Sequence, residues 1–368
     1  MSGSTWMRKW GVLGFCAALS AALNGQAFAE GLVIGGYVQG SYQVNLGKPK
    51  DGSGNPTGNQ LRSFDASQDD DFSVNQVQLN ALKAVGDDRY GYGVKLLFGR
   101  DAAGLGQGVF DVAVEEAYAM YSPEKLRKLT FTGGKFVTME GVEIIESPLN
   151  LNITEGLLFG LAEAYTHVGA KAAYAISDKA TVMAGVVNGW DVDDDNNRGK
   201  TLMGNVNLIP VDKVTANLHV MYGPEAADQT HQKRTSVDLV LGYSGIDKLS
   251  LNLQGNWGQD KQDTVTASTW KGVGLWAGYS ASDYLNPGVR FEVFDDSNGG
   301  SRTGIVNSGG VGPTVKDITF TNKFKLTEKM FIRAEYRHDF SNAPAFQNKD
   351  GNTVRVQNTL GADWVVLF

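Results

Sequence analysis

Apolar and polar residues alternate one by one along most of this chain, and a period of two restricts it to strands with chemically different faces. In "VIGGYVQGSYQVN", Ile34, Gly36, Val38, Gly40, Tyr42 and Val44 form one face; Tyr37, Gln39, Ser41, Gln43 and Asn45 form the other. "KVTANLHVMY" sets Val214, Ala216, Leu218, Val220 and Tyr222 against Thr215, Asn217 and His219. "KLSLNLQGNW" sets Leu249, Leu251, Leu253 and Trp257 against Ser250, Asn252, Gln254 and Asn256. No amphipathic helical stretch of comparable quality is present. Sixteen such segments lie near 32–45, 72–85, 90–98, 111–121, 128–137, 165–176, 180–190, 200–209, 213–222, 235–244, 248–258, 268–279, 285–294, 315–326, 330–340 and 353–368. Segment 111–121 is the least regular, because Glu115 and Glu116 put an acid on either face.

The connections narrow the choice further. Long ones follow the odd-numbered segments; short ones follow the even-numbered, several with an acid–lysine pair ("SPEK", "SDK", "VDK", "IDK", "TEK"). Strict alternation places every long loop at one end of the sheet. An even strand count with short turns at one end and long loops at the other is the pattern of an all-β, transmembrane, antiparallel up-and-down β-barrel. A soluble β-sandwich, its apolar faces meeting in a core, has no reason to sort loop lengths by end. Tyr42, Trp190, Tyr222 and Trp257 close upward strands, Tyr174, Tyr243 and Tyr279 close downward ones, and Trp364 lies in the last segment. They are expected to form aromatic girdles at the two lipid–water boundaries. In the closing "GADWVVLF", Ala362, Trp364, Val366 and Phe368 are then the lipid face of a strand that pairs with the first and removes the sheet edge. The final Phe368 is read as an assembly signal for the outer-membrane barrel assembly machinery.

The first 29 residues are expected to be a secretory signal peptide: Arg8 and Lys9 precede an apolar run, and Ala27-Phe28-Ala29 ends in a small-residue cleavage site. They hold the sole cysteine, Cys16, and two basic residues but no acid, so the 33 basic and 40 acidic residues leave a charge of −9 on 30–368. That balance argues against nucleic acid as a partner. No apolar run beyond the signal approaches the ~18 residues of a membrane helix. Hydropathy alone would give a soluble exported protein, but a hydropathy average is blind to alternating strands. Residues 30–368 read as one barrel with no internal domain boundary, set among outer-membrane lipid and lipopolysaccharide.

Chemistry concentrates in "TMEGVEIIESPLNLNITEGLLFGLAEA", 138–164, which carries Glu140, Glu143, Glu146, Glu155 and Glu163 and no Lys or Arg. It is also rich in Ile and Leu for an exposed loop, so it is expected to fold into the lumen as a constriction. Arg290, Glu292, Arg333, Glu335 and Arg337 fall on inward positions of their strands, as do Lys95, His167 and Lys171. Loop acids facing basic wall residues would set up a transverse field that screens solutes by charge. The alternative is a surface loop, with wall charges paired among themselves. "DVDDDNNRGK", 191–200, is rich in oxygen ligands but lacks the glycine and closing glutamate of an EF-hand loop. "GLGQG" at 104–108 opens no helix, so phosphate binding is not expected. His167, His219, His231 and His338 have no metal-ligand spacing, and no serine sits in a nucleophile elbow. No cofactor and no metal are expected.

Several stretches in order resemble the β-barrel porin family of Gram-negative outer membranes, the OmpL-like group. They are Tyr92-Gly93-Val94 with Leu97-Phe98-Gly99; Gly134-Lys135-Phe136 with Thr138; and Gly141, Glu143, Glu146-Ser147, Asn150 and Asn152. Further on come Asn188-Gly189-Trp190-Asp191 with Asp195-Asn196-Asn197, then Arg302-Thr303-Gly304, and Glu335-Tyr336-Arg337-His338-Asp339. The resemblance covers essentially all of 30–368 and implies a porin, with no assigned solute. One departure is a charge reversal: a basic residue is expected after "NxNxS", and this chain has Thr154-Glu155. The reading is therefore a non-enzymatic outer-membrane porin passing small hydrophilic solutes or ions by diffusion, with a homotrimer suggested by analogy. The alternatives are a barrel acting as surface adhesin or receptor with a blocked lumen, and a membrane-embedded hydrolase.

Overall fold

A computed structural model describes residues 31–105, 112–262 and 265–368. The expected signal peptide and most of the "GLGQG" stretch lie outside the described residues. All sixteen expected segments are strands: β1 (Val33–Asn45), β2 (Asp71–Lys83), β3 (Tyr90–Phe98), β4 (Val112–Tyr121), β5 (Leu129–Val137), β6 (Thr166–Ser177), β7 (Ala180–Val187) and β8 (Thr201–Leu208). The second half continues with β9 (Val214–Pro224), β10 (Lys233–Tyr243), β11 (Leu249–Gln262), β12 (Val265–Tyr279), β13 (Leu285–Asn298), β14 (Thr314–Lys325), β15 (Met330–Ser341) and β16 (Val356–Leu367). Each pairs antiparallel with its chain neighbours, and β16 pairs with β1, so the sheet is a closed barrel. Closure matters because an unpaired backbone N–H or C=O in hydrocarbon costs several kcal/mol. No helix among the described residues is long and apolar enough to cross a membrane; here strands make the crossing.

The alternation fixes which way each side chain points. On β1, Tyr37, Gln39, Ser41, Gln43 and Asn45 are buried inside while Val38 is exposed outside. Exposed Leu218, Val220, Leu239, Leu241, Leu253, Leu275 and Phe320 continue the apolar outer belt. Irregular phase is absorbed by bulges. Lys95 pairs with Glu116 and Leu96 with Val114, so Glu115 is the extra residue. Both acids therefore turn inward and are buried, where the sequence placed one on each face.

Three expectations are corrected. β11 and β12 run on to Gln262 and from Val265, so no long loop follows β11; the polar residues assigned to a loop continue the ladder. The last segment starts at Val356, and a separate two-stranded pair, Phe346–Gln347 with Thr353–Val354, precedes it. The inner face is not uniformly polar either. Met183, Met203, Met221, Trp270, Trp276, Phe294 and Val315 point inward and pack in one cluster with Leu157, Leu158 and Leu161 of a short helix, α1 (Leu157–Ala162).

The seam is tight. Phe368 N–H donates to Gly36 O at 3.0 Å and Gly36 N–H to Phe368 O at 3.2 Å. A Cβ on Gly36 would stand 2.0 Å from Gln78 O and 2.8 Å from Phe368 Cζ, so no side chain fits there. Gly36→Val should therefore leave most of the protein unable to close, read as loss of the folded, heat-modifiable band on gel electrophoresis. A folded fraction equal to that of the unaltered protein would contradict this.

Candidate functional site: a loop fastened across the lumen

The 138–164 segment lies inside the barrel and is tied to the wall nearly all the way round. It leaves β5 at Val137, and Asn217 of β9 donates Nδ2 to Met139 O at 2.7 Å. Asp238 of β10 and Gln254 of β11 then accept Gly141 N–H (3.0 Å) and Val142 N–H (3.1 Å). Opposite, Gln76 of β2 donates to Ile145 O at 2.8 Å, and Gln39 of β1 to Ser147 Oγ at 3.1 Å. The segment's buried Ile145, Ile153, Leu157, Leu158 and Leu161 explain its position: each fully buried side chain is favourable by roughly 1.5–3 kcal/mol.

Each acid named from the sequence has a buried neighbour. Glu143 pairs with Arg290 of β13 (2.7 Å), and also accepts from Trp276 Nε1 (3.1 Å). Glu146 pairs with Lys95 of β3, which also meets Glu116 at 3.0 Å and Glu115 at 3.5 Å. Against the upward push of burial, Lys95 holds the Glu146 carboxyl below its usual range. Glu292 accepts the N–H groups of Leu157 (2.7 Å) and Leu158 (3.1 Å) in the first turn of α1. Glu335 accepts Ile153 N–H at 2.6 Å and Thr154 Oγ1 at 2.6 Å. Arg337 donates to Glu155 O (2.6 Å) and pairs with Asp339 (2.8 Å) and Asp317 (3.3 Å). Arg333 gives Nη1 to the carbonyls of Ser147 (2.9 Å), Asn150 (3.1 Å) and Asn152 (2.7 Å), while Nη2 meets Asp363 at 2.6 Å. Arg290, Arg333 and Arg337 are all 0% exposed.

The expected transverse field is thus not the arrangement found. Loop acids and wall bases touch instead of facing one another across water, because the apolar loop packs into the wall and a buried charge must be paired. Three of the loop acids, Glu140, Glu155 and Glu163, lack a basic partner among the described residues; buried Glu163 accepts from Gln254 Nε2. Glu155, at the departure from the family pattern, is buried with Oε1 unpartnered; burial first, then Asp101, raises its carboxyl well above the usual range. Glu140 accepts from Ser236 Oγ (2.7 Å) and Ala164 N–H (3.1 Å), and burial, with the charge of Asp238, pushes it up to about 8.

The remaining sequence-named residues are placed as follows. Tyr222, Tyr243, Trp257, Tyr279, Tyr174 and Trp364 are exposed on the outer face; Tyr42 is half-buried against Phe72 at 4.7 Å. Trp190 is the exception among the girdle residues. It lies beyond the end of β7, buried edge-on to Trp270 at 6.4 Å, with Arg234 and Arg302 over its ring at 4.8 and 5.1 Å. Arg302 donates to Leu161 O at the end of α1 at 2.5 Å. His167 is inward and bonded to Gly189 O, and Lys171 lies over Phe136 at 4.0 Å. In 191–200, Asp193 pairs with Lys135 and Asp195 with Lys200. Sequence reasoning missed Asp363 and Asp317, and named Asp339 only within the family stretch, without a role. The available signal for Asp363 was an acid at an inward position of the apolar closing stretch "GADWVVLF".

Two outcomes follow. Asp363→Ala leaves the Arg333 guanidinium buried without its carboxylate and should cost about 3–5 kcal/mol of unfolding free energy in detergent; a loss below about 1 kcal/mol, as for a surface pair, would contradict the burial. For Glu140, the folded state keeps a proton that the unfolded chain releases above its ordinary value near 4.5. Stability should therefore fall as pH rises from 4.5 to about 8. Glu140→Gln should flatten that fall, measured as melting temperature at pH 6 and pH 9; an unchanged slope would sink it.

The fold is shared with solved outer-membrane proteins. The trimer form of in-vitro folded OmpT from Vibrio cholerae superposes with a TM-score of 0.62 at 11% identity, over 92% of this chain and 99% of that one. The outer-membrane channel DcaP of Acinetobacter baumannii gives 0.61 at 13% identity over 92% and 97%. The anion-selective porin from Comamonas acidovorans gives 0.62 at 10% over 92% and 99%. No curated protein sequence matches this chain. The model of the family described as "Putative beta-barrel porin-2, OmpL-like" matches residues 31–368, and the chain belongs to that family of outer-membrane porins.

Proposed function

We propose that this porin passes small hydrophilic solutes or ions by passive diffusion, without cofactor, energy input or enzymatic turnover, along a path narrowed by the 138–164 loop. The observation that carries this reading is the loop's span: it is held at Lys95 on β3, at Arg290 on β13 and at Arg333 on β15. Glu140, Glu143, Glu146 and Glu155 on the loop, and Arg290, Glu292, Arg333, Glu335 and Arg337 on the wall, form the constriction. Their role is to fix the loop's position, so pore size comes before charge in setting what passes. Assembly as a homotrimer is part of the proposal, supported by the barrel's likeness to a protein described as a trimer.

The test is planar-bilayer recording of the double variant Glu143→Gln with Glu146→Gln. Arg290 keeps Asp317 and Glu292, and Lys95 keeps Glu115 and Glu116, so the wall stays paired while the loop loosens. Single-channel conductance and its noise should both rise. Unchanged conductance and reversal potential would remove the loop from the path. A barrel acting only as a surface receptor would give no sugar flux in liposome swelling, before or after the substitution.

A further inference from the structure

Six methionines lie beyond residue 29, and four of them, Met139, Met183, Met203 and Met221, meet in one buried cluster on the inside of the barrel. The ladder sets their relation. Met203 on β8 stands directly opposite Met221 on β9, which puts their Cβ atoms about 5 Å apart. His219 is two residues before Met221 on the same face, about 7 Å along the strand. It stands opposite Asn205, which stands opposite Met183 of β7. The loop brings Met139 to the same wall through its bond from Asn217.

His219 is the anomaly. It is 0% exposed, and neither Nδ1 nor Nε2 has a hydrogen-bond partner. Its neighbours in the ladder are committed elsewhere: Asn205 donates to Asn217 Oδ1, and Asp238 accepts from Gly141 N–H, Gln254 and Asn256. The other buried histidine, His167, is bonded to Gly189 O (3.0 Å) and close to Thr138 Oγ1 (3.3 Å). A buried polar atom left unpaired costs about 1–3 kcal/mol, so a ring with two such atoms calls for an occupant.

Thioether sulfur and neutral imidazole together are soft donors, suited to Cu(I) rather than to oxygen-loving cations. Among the described residues no group of three or more His, Cys, Asp and Glu is arranged to hold a metal, so a site here would rest on sulfur. A monovalent ion suits this wall better than a divalent one, which would need anionic ligands to offset its charge: the carboxylate opposite His219, Asp238, is engaged by Gly141 N–H, Gln254 and Asn256. We propose that Met203, Met221 and His219 bind one soft monovalent metal ion, Cu(I) or Ag(I), on the inner wall, with Met183 and Met139 as the flanking thioethers. Half-buried Asn207, which donates to Asn205 Oδ1 at 2.6 Å, links the site to the turn end of the lumen.

The experiment titrates the folded, detergent-purified barrel with Ag(I), and with Cu(I) under reductant against a chromophoric Cu(I) chelator. One ion per chain is expected, with no uptake of Zn(II) or Ca(II). Met203→Leu with Met221→Leu keeps the packed volume, and His219→Leu removes the imidazole. Each should weaken binding by at least about tenfold while the heat-modifiable folded band persists. Should either variant fail to fold, the unaltered barrel's stoichiometry and its melting shift with Ag(I) still decide. No binding by the unaltered barrel, or undiminished affinity in a folded variant, would overturn the site and leave these side chains as packing around α1.

Discussion

Three guanidiniums shut away from solvent hold this molecule's interior together. Arg290, Arg333 and Arg337 each face both ways, pairing with carboxylates of the wall and donating to the 138–164 segment. An arginine in the interior cannot shed its charge, so every donor needs an acceptor within reach. Those acceptors come from loop carbonyls as well as from Asp317, Asp339 and Asp363. A barrel wall that buries such residues is complete only with the loop in place. That is why a segment entirely without basic residues can sit among so many acids: the wall supplies the positive charge.

The shell around this interior obeys a separate constraint. Hydrocarbon outside demands a ladder with no open edge, and the seam between β1 and β16 meets it with a ladder running from Tyr37 opposite Leu367 to Asn45 opposite Thr359, capped by the Gly36–Phe368 bonds. This level of the structure was legible in the sequence, because a period of two leaves little freedom once both faces have opposite chemistry. Where the alternation misled, tertiary context decided. The bulge at Glu115 turned both acids inward, and the polar ends of β11 and β12 stayed in the ladder. Trp190 lies past the last residue of β7, where the chain turns over the mouth, and stacks with arginines there.

The site was legible by residue but not by arrangement. Inward phase picked out Arg290, Glu292, Arg333, Glu335 and Arg337, and composition picked out the loop. Neither gives the separation between them, which depends on how deeply the apolar residues of 144–161 pack. Several of the residues that carry the family resemblance are fasteners: Glu143 and Glu146 on basic side chains, and Ser147 and Asn152 offering carbonyls to Arg333. Asn150 bonds across to Ile144, and Arg302 holds the end of α1. That part of the motif describes a way of holding a loop, and it says little about which solute passes. Glu155, where the pattern is broken, lies among Asp101, Glu143 and Asp65, and burial together with these charges raises its carboxyl well above the usual range.

Amide hydrogen exchange across 144–158 in the folded barrel measures the central claim directly. The N–H groups of Ile153, Thr154, Gly156, Leu157 and Leu158 are buried and donate to carboxylates inside the lumen. Exchange as slow as that of the neighbouring strands is the predicted result. Exchange as fast as that of an exposed outer loop would mean that the segment is not fastened inside the barrel, and the account would fail.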